Sequence, residues 1–132
     1  MNAVVLDASA AVEMVTRTEA GAQLNRIVPA NTSWWVPNGL FDAEVNSVLR
    51  RLSLAGTFDD QHIDSARRRL SALRCRRVSV AALADRAWAL RHNLSFYDAC
   101  YVALADVLRA PLVTVDMKLV NAPGIPVETI HP

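Results

Sequence analysis

A run of apolar residues, Ala3-Val4-Val5-Leu6, has no polar residue to alternate with and stops abruptly at Asp7. A strand that is apolar on both faces has to be covered on both, which places it centrally in a parallel sheet. Asp7 and Ser9 are both residue types that begin helices, so a helix is expected over 8–14. Strand is followed at once by helix, and the rest of the chain repeats that alternation, which argues a parallel α/β sheet with helices on both faces.

A second helix is expected over 19–28, stopped near Pro29, then a short aromatic strand over 34–36 closed by Pro37-Asn38-Gly39. Residues 40–54 have the clearest helical pattern: Phe41, Val45, Val48, Leu49 and Leu52 fall on one stripe, and Gly56 ends it. A helix bearing arginines is expected over 58–73, a strand over 77–80 and a helix over 81–92. Ser95 begins a helix over 96–109 that is apolar nearly all round and should be buried. Pro111 separates it from a strand over 112–115, followed by one helical turn over 117–120 and a last strand over 125–129. The expected fold is three-layer α/β/α, a central parallel sheet flanked by helices. At 132 residues without repeats, low-complexity tracts or linkers, residues 1–132 form one expected domain.

Apolar residues make up 52% of the chain and charged ones 20%, which excludes a disordered chain. Cys75 and Cys100 match no metal-ligand spacing, and Cys100 is expected as a buried free thiol. With no basic leader and no apolar run near the ~18 residues of a membrane span, a cytoplasmic protein without membrane contact is expected. Net charge is only +1, so the whole chain is no polycation. Its bases are almost all arginine, however, and six of them fall between Arg67 and Arg77. Arginine forks bind phosphates bidentately, although a solvated helix face with Asp60 and Asp64 as partners explains the run equally well.

Acidic residues carry the functional signal. Asp7 and Asp116 each end an apolar strand, and ligands of parallel sheets bind beyond the carboxyl ends of strands. Asp98 lies in the first turn of the buried helix, where Ser95 and Asp98 also read as a capping box. Glu44 stands beside the apolar stripe of its helix, about 60° from Phe41, and Asp42 flanks the other side equally well. Each acid alone has an ordinary explanation as a cap or a solubilising group. Gathered in one cleft, they call for a hard divalent cation with oxygen ligands.

Several segments together resemble the PIN domain of VapC-type toxin ribonucleases. They are Val5-Leu6-Asp7-Ala8-Ser9-Ala10; Pro37 followed by Glu44-Val45 and Val48-Leu49-Arg50-Arg51; Tyr97-Asp98-Ala99-Cys100-Tyr101-Val102-Ala103-Leu104-Ala105; and Ala110-Pro111-Leu112-Val113-Thr114-Val115-Asp116-Met117-Lys118-Leu119. The resemblance spans the chain in order. It departs from the family at Ser47, where Asn is frequent, and at Met117, where polar residues are common.

The resemblance implies that Asp7, Glu44, Asp98 and Asp116 are the catalytic acids and hold Mg²⁺ or Mn²⁺, and it selects Glu44 over Asp42. It implies an endoribonuclease that hydrolyses RNA phosphodiesters with water, leaving 5′-phosphate and 3′-hydroxyl ends, with a VapB-type antitoxin as partner and a homodimer as assembly. Substrate contacts are expected from Ser9, Thr114, Lys118, Arg67, Arg68 and Arg69. Trp34 and Trp35 suit either that partner interface or core packing.

Other readings fare worse. A haloacid dehalogenase-type phosphatase wants a second Asp two residues after the first, where Ser9 stands. A response-regulator receiver wants paired acids before Asp7 and a lysine at the end of a late strand, and Lys118 is two residues beyond Asp116. A catalytically silent PIN-fold module binding RNA or protein is the alternative of a different class.

Overall fold

A computed structural model describes residues 2–132. Its elements follow one another as β1 (Ala3–Leu6), α1 (Ala8–Val15), α2 (Glu19–Ile27), β2 (Ser33–Asn38), α3 (Leu40–Leu54), α4 (Asp60–Ala72), β3 (Cys75–Ser79), α5 (Val80–Trp88), α6 (Phe96–Leu108), β4 (Leu112–Val113), α7 (Met117–Val120) and β5 (Thr129–Ile130). The five strands form one parallel sheet in the order β3-β2-β1-β4-β5.

β1 is therefore the central strand, as its unbroken apolar run requires, and Val5 and Leu6 are fully buried. The chain steps outward from β1 to β2 and β3, then returns to β4 on the other side of β1. Right-handed crossovers then put α1 to α4 on one face and α5 and α6 on the other. The packing agrees: α1 lies against α2, α3 and α4, whereas α6 lies against α5 and the strands β1, β2 and β4. α6 supplies much of the core, with every residue from Ala99 to Ala105 buried. Reversal of strand order between β1 and β4 opens a crevice at their carboxyl ends, where Asp7 N–H donates to the Val113 carbonyl at 2.9 Å.

Several boundaries differ from those read in the sequence. β2 runs through Pro37 to Asn38, because β1 pairs with it only as far as Trp35 and Pro37 faces β3 alone. α4 starts at Asp60 rather than 58, since the Asp59 carboxylate accepts the His62 N–H at 2.8 Å, leaving Phe58 to stack on the His62 ring. β3 starts at Cys75, two residues early, and α5 closes at Trp88 into a chain of turns. β4 is two residues long, with the Thr114 side chain just beyond it bonded to Asp7, and β5 lies at Thr129–Ile130 rather than over 125–129. Cys75 and Cys100 are free thiols, and Cys100 is fully buried. Among the described residues no helix is long and apolar enough to cross a membrane.

Candidate active site at the carboxyl ends of the strands

Asp7, Ser9, Glu44, Ser47, Arg51, Asp98 and Asp116 line one cavity of about 250 Å³ in the crevice between β1 and β4. Each acid arrives on a different element. Asp7 follows the central strand, Glu44 projects from the second turn of α3, Asp98 stands in the first turn of α6, and Asp116 precedes α7. A larger cleft of about 450 Å³ opens at the opposite, amino ends of β1 and β4, but Arg109 is the only charged residue lining it.

Asp7 is the most deeply set, with 5% of its surface exposed. It occupies the residue before α1 but makes no side-chain cap there. Its carboxylate instead accepts from the Ser9 hydroxyl at 2.6 Å and the Thr114 hydroxyl at 2.8 Å, both on Oδ2. Those hydroxyls in turn accept backbone N–H bonds from Val115 and Asp116, at 3.2 and 3.0 Å. Each hydroxyl has one proton, and both protons are committed to Asp7, so Ser9 and Thr114 orient the acid. Burial raises the Asp7 pKa; the two hydroxyls oppose it, and the negative charge of Asp116 adds to it.

Glu44 and Asp98 show the same crowding. Burial raises both carboxyls first, and each is raised further by neighbouring acids: Asp7 and Asp98 act on Glu44, Asp7 and Asp116 on Asp98. Asp7, Glu44 and Asp98 thus give up their protons less readily than free carboxyls when nothing positive joins them. Ser95 Oγ accepts the Asp98 backbone N–H at 3.1 Å, so the cap is made by serine while the Asp98 side chain faces the cavity. Asp116 Oδ1 accepts the Lys118 N–H at 3.0 Å, and the exposed Lys118 side chain lies outside the cavity lining.

Asp42, the equal of Glu44 by periodicity, turns the other way and pairs bidentately with Arg77 of β3 at 2.5 and 3.0 Å. Tyr101 of α6 was not singled out by its residue pattern, because it reads as one more core residue of an apolar helix. Its hydroxyl is fully buried beside the Glu44 carboxylate, where it opposes the rise in the Glu44 pKa without meeting the geometry of a full hydrogen bond. Burial, with the Glu44 charge beside it, pushes the phenol's own pKa far above its ordinary value, so it keeps its proton. Arg51, two turns along α3 from Glu44, is the one base lining the cavity and has no ion pair among the described residues.

The arginines of α4 stand apart from the acids. Arg67 Nε donates to Asn46 at 3.1 Å, Arg68 to Ser65 at 3.1 Å, and Arg69 to the Val15 carbonyl at the end of α1 at 2.6 Å. Trp34 and Trp35 pack partly buried against the core.

The donor set suits a hard divalent cation: four carboxylates, three of them with raised pKa, and a buried Glu44 Oε1 with no partner. Among the described residues, however, no three His, Cys, Asp or Glu side chains already converge on one point closely enough to hold an ion. A cation would have to draw the carboxylates inward.

Residues 4–125 match the family model of the PIN domain. The chain is 38% identical over 129 residues to ribonuclease VapC1 of Mycobacterium tuberculosis, covering 97% of this chain and 96% of that protein. It is 40% identical over 119 residues to ribonuclease VapC9 of the same organism, covering 88% and 87%. Among solved structures, a chain from a toxin–antitoxin complex of Klebsiella pneumoniae superposes with a TM-score of 0.65 over 98% of this chain and 97% of that one, at 20% identity.

Proposed function

Since the chain belongs to the PIN-domain family and is closely related to the VapC-type toxins of toxin–antitoxin systems, we propose that it is an Mg²⁺- or Mn²⁺-dependent endoribonuclease acting through Asp7, Glu44, Asp98 and Asp116. The carrying observation is that these four acids, from four separate elements, line one cavity at the carboxyl ends of β1 and β4.

Their crowding supplies the reason to bind a cation, since joining them to positive charge relieves both burial and mutual repulsion. The chemistry such an ion supplies when bound is activation of water and stabilisation of charge on the phosphate undergoing displacement. The chain's own residues do the rest. Ser9 and Thr114 hold Asp7 in one orientation, so its free oxygen is presented to the cavity without a search through rotamers. Arg51 in the lining offers a fork for a phosphate of the RNA, and Lys118, Arg67 and Arg68 supply exposed positive charge outside the cavity for flanking phosphates. Arg69, bound to the Val15 carbonyl, serves the junction of α4 with α1. Hydrolysis by water leaves 5′-phosphate and 3′-hydroxyl ends. A VapB-type antitoxin is the proposed partner, with a basic side chain of its own placed among the acids to compete with the cation.

Cleavage of total RNA by the antitoxin-free protein tests this, with Mn²⁺ or Mg²⁺, then with chelator, beside Asp7→Asn and Asp98→Asn. Discrete fragments that require the metal, with cleavage lost at least 100-fold in both folded variants, are expected. Full activity in either variant would refute the assignment. The lack of three converged ligands favours one second reading, a catalytically silent binding module. Calorimetric titration with Mn²⁺ separates the two, because a silent module takes up no ion in the cavity.

A further inference from the structure

Among the described residues, three buried side-chain polar atoms have no hydrogen-bond partner: Thr32 Oγ1, Glu44 Oε1 and Tyr101 Oη. Two of the three lie side by side in the same site. An orphaned phenol in a fully buried position is costly, and phenylalanine would fill the same space without that cost. Every neighbour of Tyr101 along α6, from Ala99 to Ala105, is an apolar core residue. The hydroxyl therefore needs a partner, and the Glu44 carboxylate is the acceptor beside it.

We propose that Tyr101 is a positioning residue: its hydroxyl donates to Glu44 Oε1 and fixes that carboxylate so that Oε2 faces the cavity shared with Asp7 and Asp98. The inference rests on the metal-dependent reading above and adds a residue to it. Burial falls on Oε1 and not on Oε2, so one oxygen of Glu44 is turned to the core and the other toward the open side. Rotation of the two side chains completes the bond before any cation is bound. The arrangement matches the one made on the other wall, where Ser9 and Thr114 hold Asp7 by Oδ2. Asp98 has no such support, since Ser95 binds its backbone and not its carboxylate. Outer partners of this kind, acting on a ligand rather than on the metal, typically govern 10–100-fold of metal affinity.

The test compares wild type and Tyr101→Phe in the full chain, alone and in a Glu44→Met background. Thermal unfolding with chelator reads the hydrogen bond itself. Calorimetric titration with Mn²⁺ alone reads what the bond does for the site. Tyr101→Phe should lower the metal-free Tm by about 4 °C, and should not lower it where Glu44→Met has removed the acceptor. It should also weaken Mn²⁺ binding about tenfold. An unchanged Mn²⁺ affinity overturns the positioning role, even if the Tm falls. A Tm drop of the same size in the Glu44→Met background overturns the bond, leaving tyrosine a packing residue. A wild type that takes up no Mn²⁺ overturns the metal-dependent reading instead, and the metal-free comparison still decides whether Tyr101 and Glu44 are joined.

Discussion

Two acids on α3, two positions apart, show how little a residue type says until its neighbours are known. Asp42 faces Arg77, and that guanidinium holds its carboxyl below the ordinary value of 3.8. Glu44 faces other acids and the buried wall of α6, and its carboxyl is raised. The signs lead to opposite behaviour. A carboxyl depressed in the folded state stabilises above its unfolded pKa, and that contribution is lost as pH falls through the folded value. Asp42→Asn should therefore lower the Tm at pH 7, by about 2 °C, since a half-exposed pair is worth about 0.5 kcal/mol. The difference between variant and wild type should shrink once the pH falls below 3.8 and vanish below the depressed value. Thermal unfolding from pH 7 to pH 2 measures it; a difference that persists undiminished in acid would assign the effect to packing rather than charge.

Elements, not single residues, carry most of what the sequence discloses. The apolar run before Asp7 was enough to make β1 central, and the stripe on 40–54 gave α3 its bounds. Asp116 was legible for a similar reason to Asp7, because an apolar run leads into each, although β4 itself stops at Val113, three residues short of Asp116. Strand length was less legible. β4 stops after Val113, and Thr114 just beyond it bonds Asp7, a residue 107 positions away in the chain, a contact that no local pattern contains. Tyr101 escaped the residue pattern likewise, since an apolar helix gives no sign that one hydroxyl meets an acid on α3. The choice between Asp42 and Glu44 also depended on tertiary placement, which periodicity leaves open.

Helix contacts hide a second such case. Gly21 on α2 lies so close to α1 that a Cβ there would sit inside van der Waals contact of the Glu13 carbonyl and at 2.9 Å from Met14 Cα. Alanine normally improves a helix by about 1 kcal/mol over glycine. Here the obstruction is backbone, which cannot swing aside, and overpacking costs about 1–3 kcal/mol. The clash outweighs the propensity, so Gly21→Ala should lower the Tm by about 4 °C. A variant with a raised Tm would mean that α2 shifts outward freely.

At the scale of the molecule, a net charge of +1 conceals a separation of charge. Acids are drawn to the ends of β1 and β4, whereas Arg67 and Arg68 are exposed on α4 and line a separate surface groove with Asp64 and Ser71. An acidic cavity repels a polyanion, so under the proposed ribonuclease reading affinity for RNA has to come from outside the cavity, from basic side chains that meet the strand on either side of the cleaved bond. Arg67 and Arg68 are suited to this because their bonds, to Asn46 and Ser65, are to neutral groups, and neither forms an ion pair among the described residues. If both track phosphates, Arg67→Glu with Arg68→Glu removes two counterion-releasing contacts. On single-stranded RNA the slope of log K against log salt should then flatten by about 1.4, at about 0.7 per contact. Binding is best measured in the Asp98→Asn background, so that cleavage does not consume the probe. An unchanged slope would return the two arginines to an ordinary solvated helix face, and the search for RNA contacts would move to Arg51 in the cavity lining and Lys118 outside it.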